Sequence, residues 1–104
     1  MKKAIIIFIT AANQKEADKL SRNLVEEKLA ACATIVPGVW SRYHWQGKVE
    51  HSEELLLIVK TLPRLYKKVE KRVRELHSYT VPEILALPII EGNPAYLKWI
   101  AESV

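Results

Sequence analysis

The chain has 104 residues, of which 49% are hydrophobic and 27% charged, and its formal net charge is +4. These values predict one soluble globular domain over residues 1–104, with a core small enough for oligomerisation to add stability. Charges of both signs are mixed along the chain, so we expect no nucleic-acid partner, and no apolar run is long enough to cross a membrane. Cys32 is the only cysteine, which excludes an intrachain disulfide and fits a reducing cytoplasm.

The N-terminal segment predicts a buried strand followed by a helix. Residues 4–10 are apolar and mostly β-branched, as in the centre of a sheet. Residues 1–12 also resemble a short secretory signal, but the apolar run is brief and a helix start follows at once, so we interpret it as a strand. Asn13 stands at the N-cap position and Glu16 three residues later, which predicts a helix that ends near Lys28.

A long β-hairpin is predicted for the middle of the chain. Its strands occupy residues 29–45 and 48–60, with Gln46-Gly47 as a two-residue turn and a bulge or bend at Pro37-Gly38. A domain of this size cannot cover strands of this length. The protruding part carries the aromatic residues Trp40, Tyr43 and Trp45. We expect these side chains to lie in an interface with another subunit; folding back onto their own sheet is the alternative.

The remaining chain predicts a second helix, a fourth strand and a short last helix. Pro63 stands in the first turn of the second helix, where a proline costs no hydrogen bond. Residues 84–90 form the predicted strand, and Pro88 places it at a sheet edge or a bulge. Asn93 and Pro94 are typical of a cap and first helical position, for a helix over residues 95–102. The order β-α-β-β-α-β predicts an α+β ferredoxin-like fold: an antiparallel sheet with two helices on one face, a long protruding hairpin and a short C-terminal helix.

The connection from Glu75 to Ile89 holds the strongest site candidates. It brings His77, Tyr79, Glu83 and two prolines into one segment. Rigid loops that carry titratable and aromatic side chains often hold binding sites. A proline-stiffened linker whose side chains only pack is the alternative. No nucleophile, base and orienting group form a recognisable set, so we do not expect an enzyme.

Several motifs, in order along the chain, resemble those of the CutA divalent-cation tolerance family. They are Lys28-Leu-Ala-Ala-Cys32, Val36-Pro-Gly38, Trp45-Gln-Gly-Lys48, Leu57-Ile-Val-Lys-Thr61, Glu75-Leu-His-Ser-Tyr-Thr-Val-Pro-Glu-Ile84, Gly92-Asn93 and Tyr96-Leu-Lys-Trp99. The resemblance covers nearly the whole chain. It implies a ferredoxin-like homotrimer held by the long hairpins, a role in tolerance to divalent cations, copper binding as reported for several members, and no established enzymatic activity.

The resemblance also implies a set of site residues. His77 and Cys32 are the implied ligands of Cu(II) or another divalent ion, which is not an obligatory cofactor. The implied ligand-binding cleft between subunits is lined by Trp45, Lys60, Tyr79 and Glu83. The bacterial type member has a cysteine at the position of Ile9 and a second histidine at that of Leu76, so this chain keeps one of those three ligands. Simpler roles are a helix C-terminal residue for His77, a small buried hydrophobe for Cys32 and a solvated strand end for Lys60.

Two functions follow from these expectations. The first is a cytoplasmic trimer that binds Cu(II) or another divalent cation in the inter-subunit cleft. The alternative is a trimeric signalling or adaptor module that senses a small anionic metabolite through Lys60, similar in architecture to the nitrogen-regulatory trimers. The many charged side chains and few Asn, Gln, Met and Cys are typical of heat-adapted proteins, so we also expect melting above the mesophile range of about 45–65 °C.

Overall fold

The structure, a computed structural model, describes residues 3–104; Met1 and Lys2, which the predicted domain includes, lie outside the described residues. The elements are β1 (Ile5–Ala11), α1 (Gln14–Glu26), β2 (Cys32–Trp45), β3 (Lys48–Thr61), α2 (Tyr66–Leu76), β4 (Ile84–Pro88) and α3 (Pro94–Ser103). The four strands pair antiparallel in the order β2-β3-β1-β4. This confirms the predicted α+β class and element order. None of the helices in residues 3–104 has the length and apolarity to span a bilayer.

One face of the sheet is covered by the two longer helices. Alternate side chains of β1 and β3 pack against one side of α1 and α2, as the helical spacing of the apolar residues predicts. The fully buried members are Ile7, Ile9, Leu57 and Val59 from the strands and Leu20, Leu24, Val69 and Val73 from the helices. Burying each such side chain contributes roughly 1.5–3 kcal/mol. This core fixes the positions of the two strands at the centre of the sheet.

Several element ends differ from the sequence prediction, among them the start of β2, which is Cys32 and not residue 29. Helix α1 stops at Glu26 because Lys28 adopts a left-handed conformation, with φ of 59°. Pro63 begins a short 3-10 turn ahead of α2 rather than α2 itself. Strand β4 ends at Pro88, which pairs with Ile5, rather than at residue 90, although the Ile89 N–H still donates to the Ala4 carbonyl oxygen at 3.2 Å.

The hairpin has the predicted turn and bulge. Gln46 and Gly47 both have positive φ, of 50° and 78°, as a type I′ turn requires. The register of β2 against β3 shifts between Val36 and Val39, where Gly38 has a φ of 70°. Each strand is 14 residues long, and the molecule extends 45 Å along its longest axis. The hairpin therefore projects well beyond the helix-covered part of the sheet.

The second face of the sheet, called the open face below, is largely apolar. Strand alternation places on it Ile6, Phe8, Leu56, Ile58, Leu85 and Leu87, with Cys32, Thr34 and Lys60 at one end and Glu54 at the other. Helix α3 packs at the end of the sheet, against Ala4 and Leu62. The middle of the open face stays partly exposed, and Leu85 is 56% exposed. An apolar sheet face of this kind is normally buried against another layer.

Candidate functional site

The predicted site loop is anchored by the carboxylate of Glu16, which is buried in the first turn of α1. One carboxylate oxygen accepts a hydrogen bond from the Ala12 backbone N–H at 3.0 Å, and the other accepts from Ser78 N–H at 2.8 Å. Asn13 caps α1 as predicted, since its side chain accepts from Glu16 N–H at 2.8 Å. Glu16 therefore joins the start of α1 to the loop after α2.

His77 is buried in the same network, and both of its ring nitrogens are engaged. Its side chain is 0% exposed. Nε2 lies 2.7 Å from the Thr10 carbonyl oxygen, which can only accept, so Nε2 carries the proton. Nδ1 accepts from the Tyr79 backbone N–H at 3.0 Å. This neutral ring can bind a metal ion only if one of the two hydrogen bonds breaks.

Glu16 has a shifted pKa that links the loop to acid stability. Burial alone raises the pKa of Glu16, but the hydrogen bonds from Ala12 and Ser78 outweigh this effect and hold the pKa below its usual value of 4.5. The carboxylate contributes stability that is fully present above pH 4.5 and is lost as the pH falls through the lower folded-state pKa.

Substituting Glu16→Gln should therefore change how stability depends on pH. We expect the variant to be less stable than the native chain near neutral pH, with the difference narrowing as the pH falls below 4.5. Thermal unfolding between about pH 3 and pH 7 measures this, with Glu26→Gln, an exposed carboxylate of the same helix, as the control. A stability difference that stays constant over that range would contradict the assignment.

Tyr79 connects the loop to the base of the hairpin. Its hydroxyl donates to Glu54 Oε2 at 2.7 Å, and the Glu54 residue is only 5% exposed. Burial, and then the bond to Glu54, raise the pKa of Tyr79 well above its usual range. On the same side of the hairpin, the hydroxyls of Tyr43 and Ser52 lie 3.1 Å apart. Tyr79 is thus bound to Glu54 and not to Glu83, which is exposed.

Lys60 forms a second polar cluster, at the far end of the open face. Its ammonium donates to Thr34 Oγ1 at 2.6 Å and lies 3.8 Å from Cys32 Sγ. The pKa of Tyr96 on α3 is raised above its usual value. Partial desolvation is the largest cause, and the nearby Cys32 thiol is the next. Lys60 is half-buried, so it is not simply a solvated strand end. The cluster offers a cation, a thiol and two hydroxyls beside apolar walls.

The two residues named as metal ligands do not share a site within one copy. His77 binds the carbonyl of Thr10, whereas Cys32 lies beside Lys60, which pairs with Ile6 near the other end of β1. Four residues of strand separate these positions by roughly 13 Å, before the width of the sheet is added. No group of three His, Cys, Asp or Glu suited to a metal ion occurs within residues 3–104.

The four named cleft residues are also spread along one copy. Trp45 lies at the hairpin turn, pairs with Lys48 and is 46% exposed. Lys60 follows Lys48 by twelve positions, so it lies roughly 40 Å away from Trp45 along β3. A surface cavity of 520 Å³ beside α2 is lined in part by Tyr79, but not by Trp45, Lys60 or Glu83. Any cleft that contains all four side chains must therefore be built from more than one copy.

Sequence reasoning missed the residues that organise these clusters. Glu16 was assigned only a capping role, and Glu54 and Thr34 were assigned none. The available signal was their position: on the same face of each strand, an apolar residue follows Glu54 (Leu56) and Thr34 (Val36). Their partners, Tyr79 and Lys60, are 25 and 26 positions away, beyond the reach of local patterns.

Comparison with known proteins places this geometry in a family. The sequence model of the family described as CutA1 divalent ion tolerance protein matches residues 5–103. The divalent-cation tolerance protein CutA of Thermus thermophilus is 51% identical over 98 residues, which are 94% of this chain and 95% of that protein. A chloroplastic CutA protein of Arabidopsis thaliana is 44% identical over 96% of this chain, which spans about half (55%) of its length.

Solved structures agree with the sequence comparison. A divalent cation tolerance protein from Thermus thermophilus has a TM-score of 0.94 at 50% identity, covering 96% of this chain and 97% of that one. The CutA1 structure from Oryza sativa has a TM-score of 0.95 at 42% identity, covering 98% and 94%. The chain therefore belongs to the CutA1 divalent ion tolerance family, as its motifs indicated.

Proposed function

We propose that this divalent-cation tolerance protein acts as a homotrimer whose copies meet through the open face and the hairpin. The main support is apolar surface that one copy leaves uncovered. Trp40 is 68% exposed, Val49 65% and Tyr43 40%, so these hairpin side chains do not fold back onto their own sheet. Trp40 and Val49 lie on one side of the hairpin and Tyr43 on the other, so both sides carry exposed apolar side chains, and large exposed apolar surface marks a protein interface.

The proposed trimer also accounts for the separation of the cleft residues. The hairpin of one copy is long enough to carry Trp45 to the body of a neighbour. Lys60 would then face side chains from another copy, among them Tyr79 and Glu83. Such a cleft combines apolar walls with a few charged groups, which suits a small polar ligand or a metal ion.

For a bound metal ion, we propose Cys32 as a ligand and the remaining ligands from a second copy. Cys32 is half-buried at the edge of the open face, and its thiolate suits soft or borderline ions. The Lys60 ammonium beside it repels a cation, so added carboxylate or imidazole ligands are needed to offset that charge. His77 fits this role less well, because its two hydrogen bonds already hold the loop.

Metal titration tests this assignment. Zn(II) is a useful ion alongside Cu(II), because it binds thiolates without redox chemistry. By calorimetry on the assembled protein, we expect Cys32→Ser to weaken Zn(II) affinity at least about tenfold. We expect His77→Gln to leave the affinity unchanged while lowering stability. The control is His44→Gln, an exposed histidine of the hairpin. Weak binding that Cys32→Ser does not alter would contradict a metal site in the cleft.

A sensor of small anionic metabolites is the second candidate function. The half-buried Lys60 favours it, because no carboxylate within residues 3–104 lies within 4.0 Å of the ammonium. An anion that binds only the native state must raise the melting temperature. A metabolite screen should then stabilise the native chain and not Lys60→Gln.

The family description names tolerance to divalent ions and no reaction, which is consistent with a protein that is not an enzyme; the absence of enzymatic activity stays a prediction. The cytoplasmic location also stays a prediction. A related structure from Archaeoglobus fulgidus, 41% identical, belongs to a protein named as periplasmic.

A further inference from the structure

Two charged side chains on the open face lack an opposite charge. Glu54 is 5% exposed, and its one side-chain partner is the neutral hydroxyl of Tyr79. Lys60 is half-buried, and its partners are the hydroxyl of Thr34 and the thiol of Cys32. Within the described part of the chain, neither has an oppositely charged group within 4.0 Å. A charge that becomes buried is costly unless it is paired, so a partner that covers the open face must supply an opposite charge at each position.

These two charges cannot neutralise each other inside one copy. Both belong to β3 and, by strand alternation, to the same face, with Leu56 and Ile58 between them. Six residues of strand separate them by about 20 Å. The open face thus presents a cation at one end, an anion at the other and an apolar strip between. A surface with this pattern is complementary to a second copy of itself.

We propose that Lys60 of each copy pairs with Glu54 of a neighbouring copy when the open faces pack together. The inference rests on the proposed trimer and adds the contact that sets its register. In a closed ring every copy gives one Lys60 and receives one Glu54, so all the charges are satisfied. The apolar strip between them is covered at the same time, which excludes water and strengthens the pair.

Other basic side chains fit Glu54 less well. Arg42 and His44 lie on the opposite side of the hairpin, as strand alternation requires. Lys48 lies on the same face as Glu54 and is also six residues away from it along β3. However, Lys48 is exposed to solvent at the hairpin turn. Among the basic side chains of the hairpin, Lys60 alone combines the correct face, partial burial and the lack of a carboxylate. The pairing would also bring a carboxylate close to Cys32, where the proposed metal site needs negative charge.

A double-mutant cycle tests the pairing, with the subunit dissociation constant as the readout. Lys60→Gln and Glu54→Gln each remove one charge, and glutamine at position 54 can still accept from Tyr79. We expect each single variant to have a subunit dissociation constant at least about tenfold higher than that of the native chain. The double variant should have a dissociation constant no higher than that of the less stable single variant. Residues about 20 Å apart in one copy should behave additively, so this coupling can arise only between copies.

Lys48→Gln is the matched control, since Lys48 and Lys60 are equally far from Glu54 along β3. We expect the effects of Lys48→Gln and Glu54→Gln to add.

A native trimer in which the effects of Lys60→Gln and Glu54→Gln are additive would overturn the pairing and leave the proposed function intact, whereas a native monomer would overturn both. Stabilisation of the native chain by phosphate or citrate that is lost in Lys60→Gln would also overturn it, since Lys60 would be open to ligand. If Glu54→Gln does not fold, the swap Lys60→Glu with Glu54→Lys should restore the assembly that Lys60→Glu alone loses.

Discussion

Substituting His77→Ala should lower the free energy of unfolding by about 3 kcal/mol. The side chain is fully buried, and its removal leaves a cavity. It also leaves the Thr10 carbonyl and the Tyr79 N–H without their partners, and Tyr79 in turn holds Glu54. Chemical denaturation at fixed protein concentration measures the loss. We expect this loss because His77 fixes the loop through its two ring hydrogen bonds rather than binding a metal ion.

His44→Ala is the matched control, because it removes an exposed imidazole from the hairpin. We expect it to change stability by less than about 0.5 kcal/mol. Equal effects of the two substitutions would contradict the structural role of His77. So would a stable His77→Ala protein that has lost only its metal affinity, which would return His77 to the metal site.

Substituting Ile58→Arg should convert the assembly into folded monomers. Ile58 lies in the middle of the open face, beside Phe8 and Thr34, and is half-buried in one copy. A guanidinium there can reach water in a single copy but not in a packed face, and the nearby Lys60 offers no opposite charge. Burying an unpaired charge costs several kcal/mol, so the dissociation constant should rise at least about a thousandfold.

Val25→Arg provides the control for this substitution. Val25 is an apolar residue of α1 that is 39% exposed and lies away from the open face. We expect this variant to keep the native mass and secondary structure. Light scattering and circular dichroism together decide the question: a folded Ile58→Arg protein that keeps the mass of the native assembly would show that the open face is not the interface.

The elements of the fold follow from local chemistry, which is why the sequence predicts them. The cap at Asn13 and the turn at Gln46-Gly47 are satisfied by neighbouring backbone, and the structure has both as predicted. Errors fall at element ends. Helix α1 stops at Glu26, just before the left-handed Lys28, and the pairing of β4 ends at Pro88 opposite Ile5. Which residues of β1 lie beside β4 depends on distant parts of the chain, and no pattern near Pro88 carries that information.

The site was harder to predict for the same reason. Tyr79 and Lys60 are visible in the sequence as polar groups at element ends, but their partners depend on which strands become neighbours. The family resemblance implied Glu83 as the carboxylate of the cleft, whereas the carboxylate that Tyr79 contacts within one copy is Glu54, on a distant strand. The arrangement of the cleft depends further on contacts between copies, which no intrachain pattern encodes.

Assembly into a trimer is tested by the mass of the tag-free native protein in solution. We expect three times the chain mass of 11.9 kDa, maintained on dilution to low micromolar concentration. A trimer would leave the open face and the hairpin tryptophans covered and make an inter-subunit cleft geometrically available. The mass of a single chain at that concentration would rule out the trimer and the inter-subunit cleft, because Lys60, Tyr79 and Trp45 are too far apart in one copy to line one site.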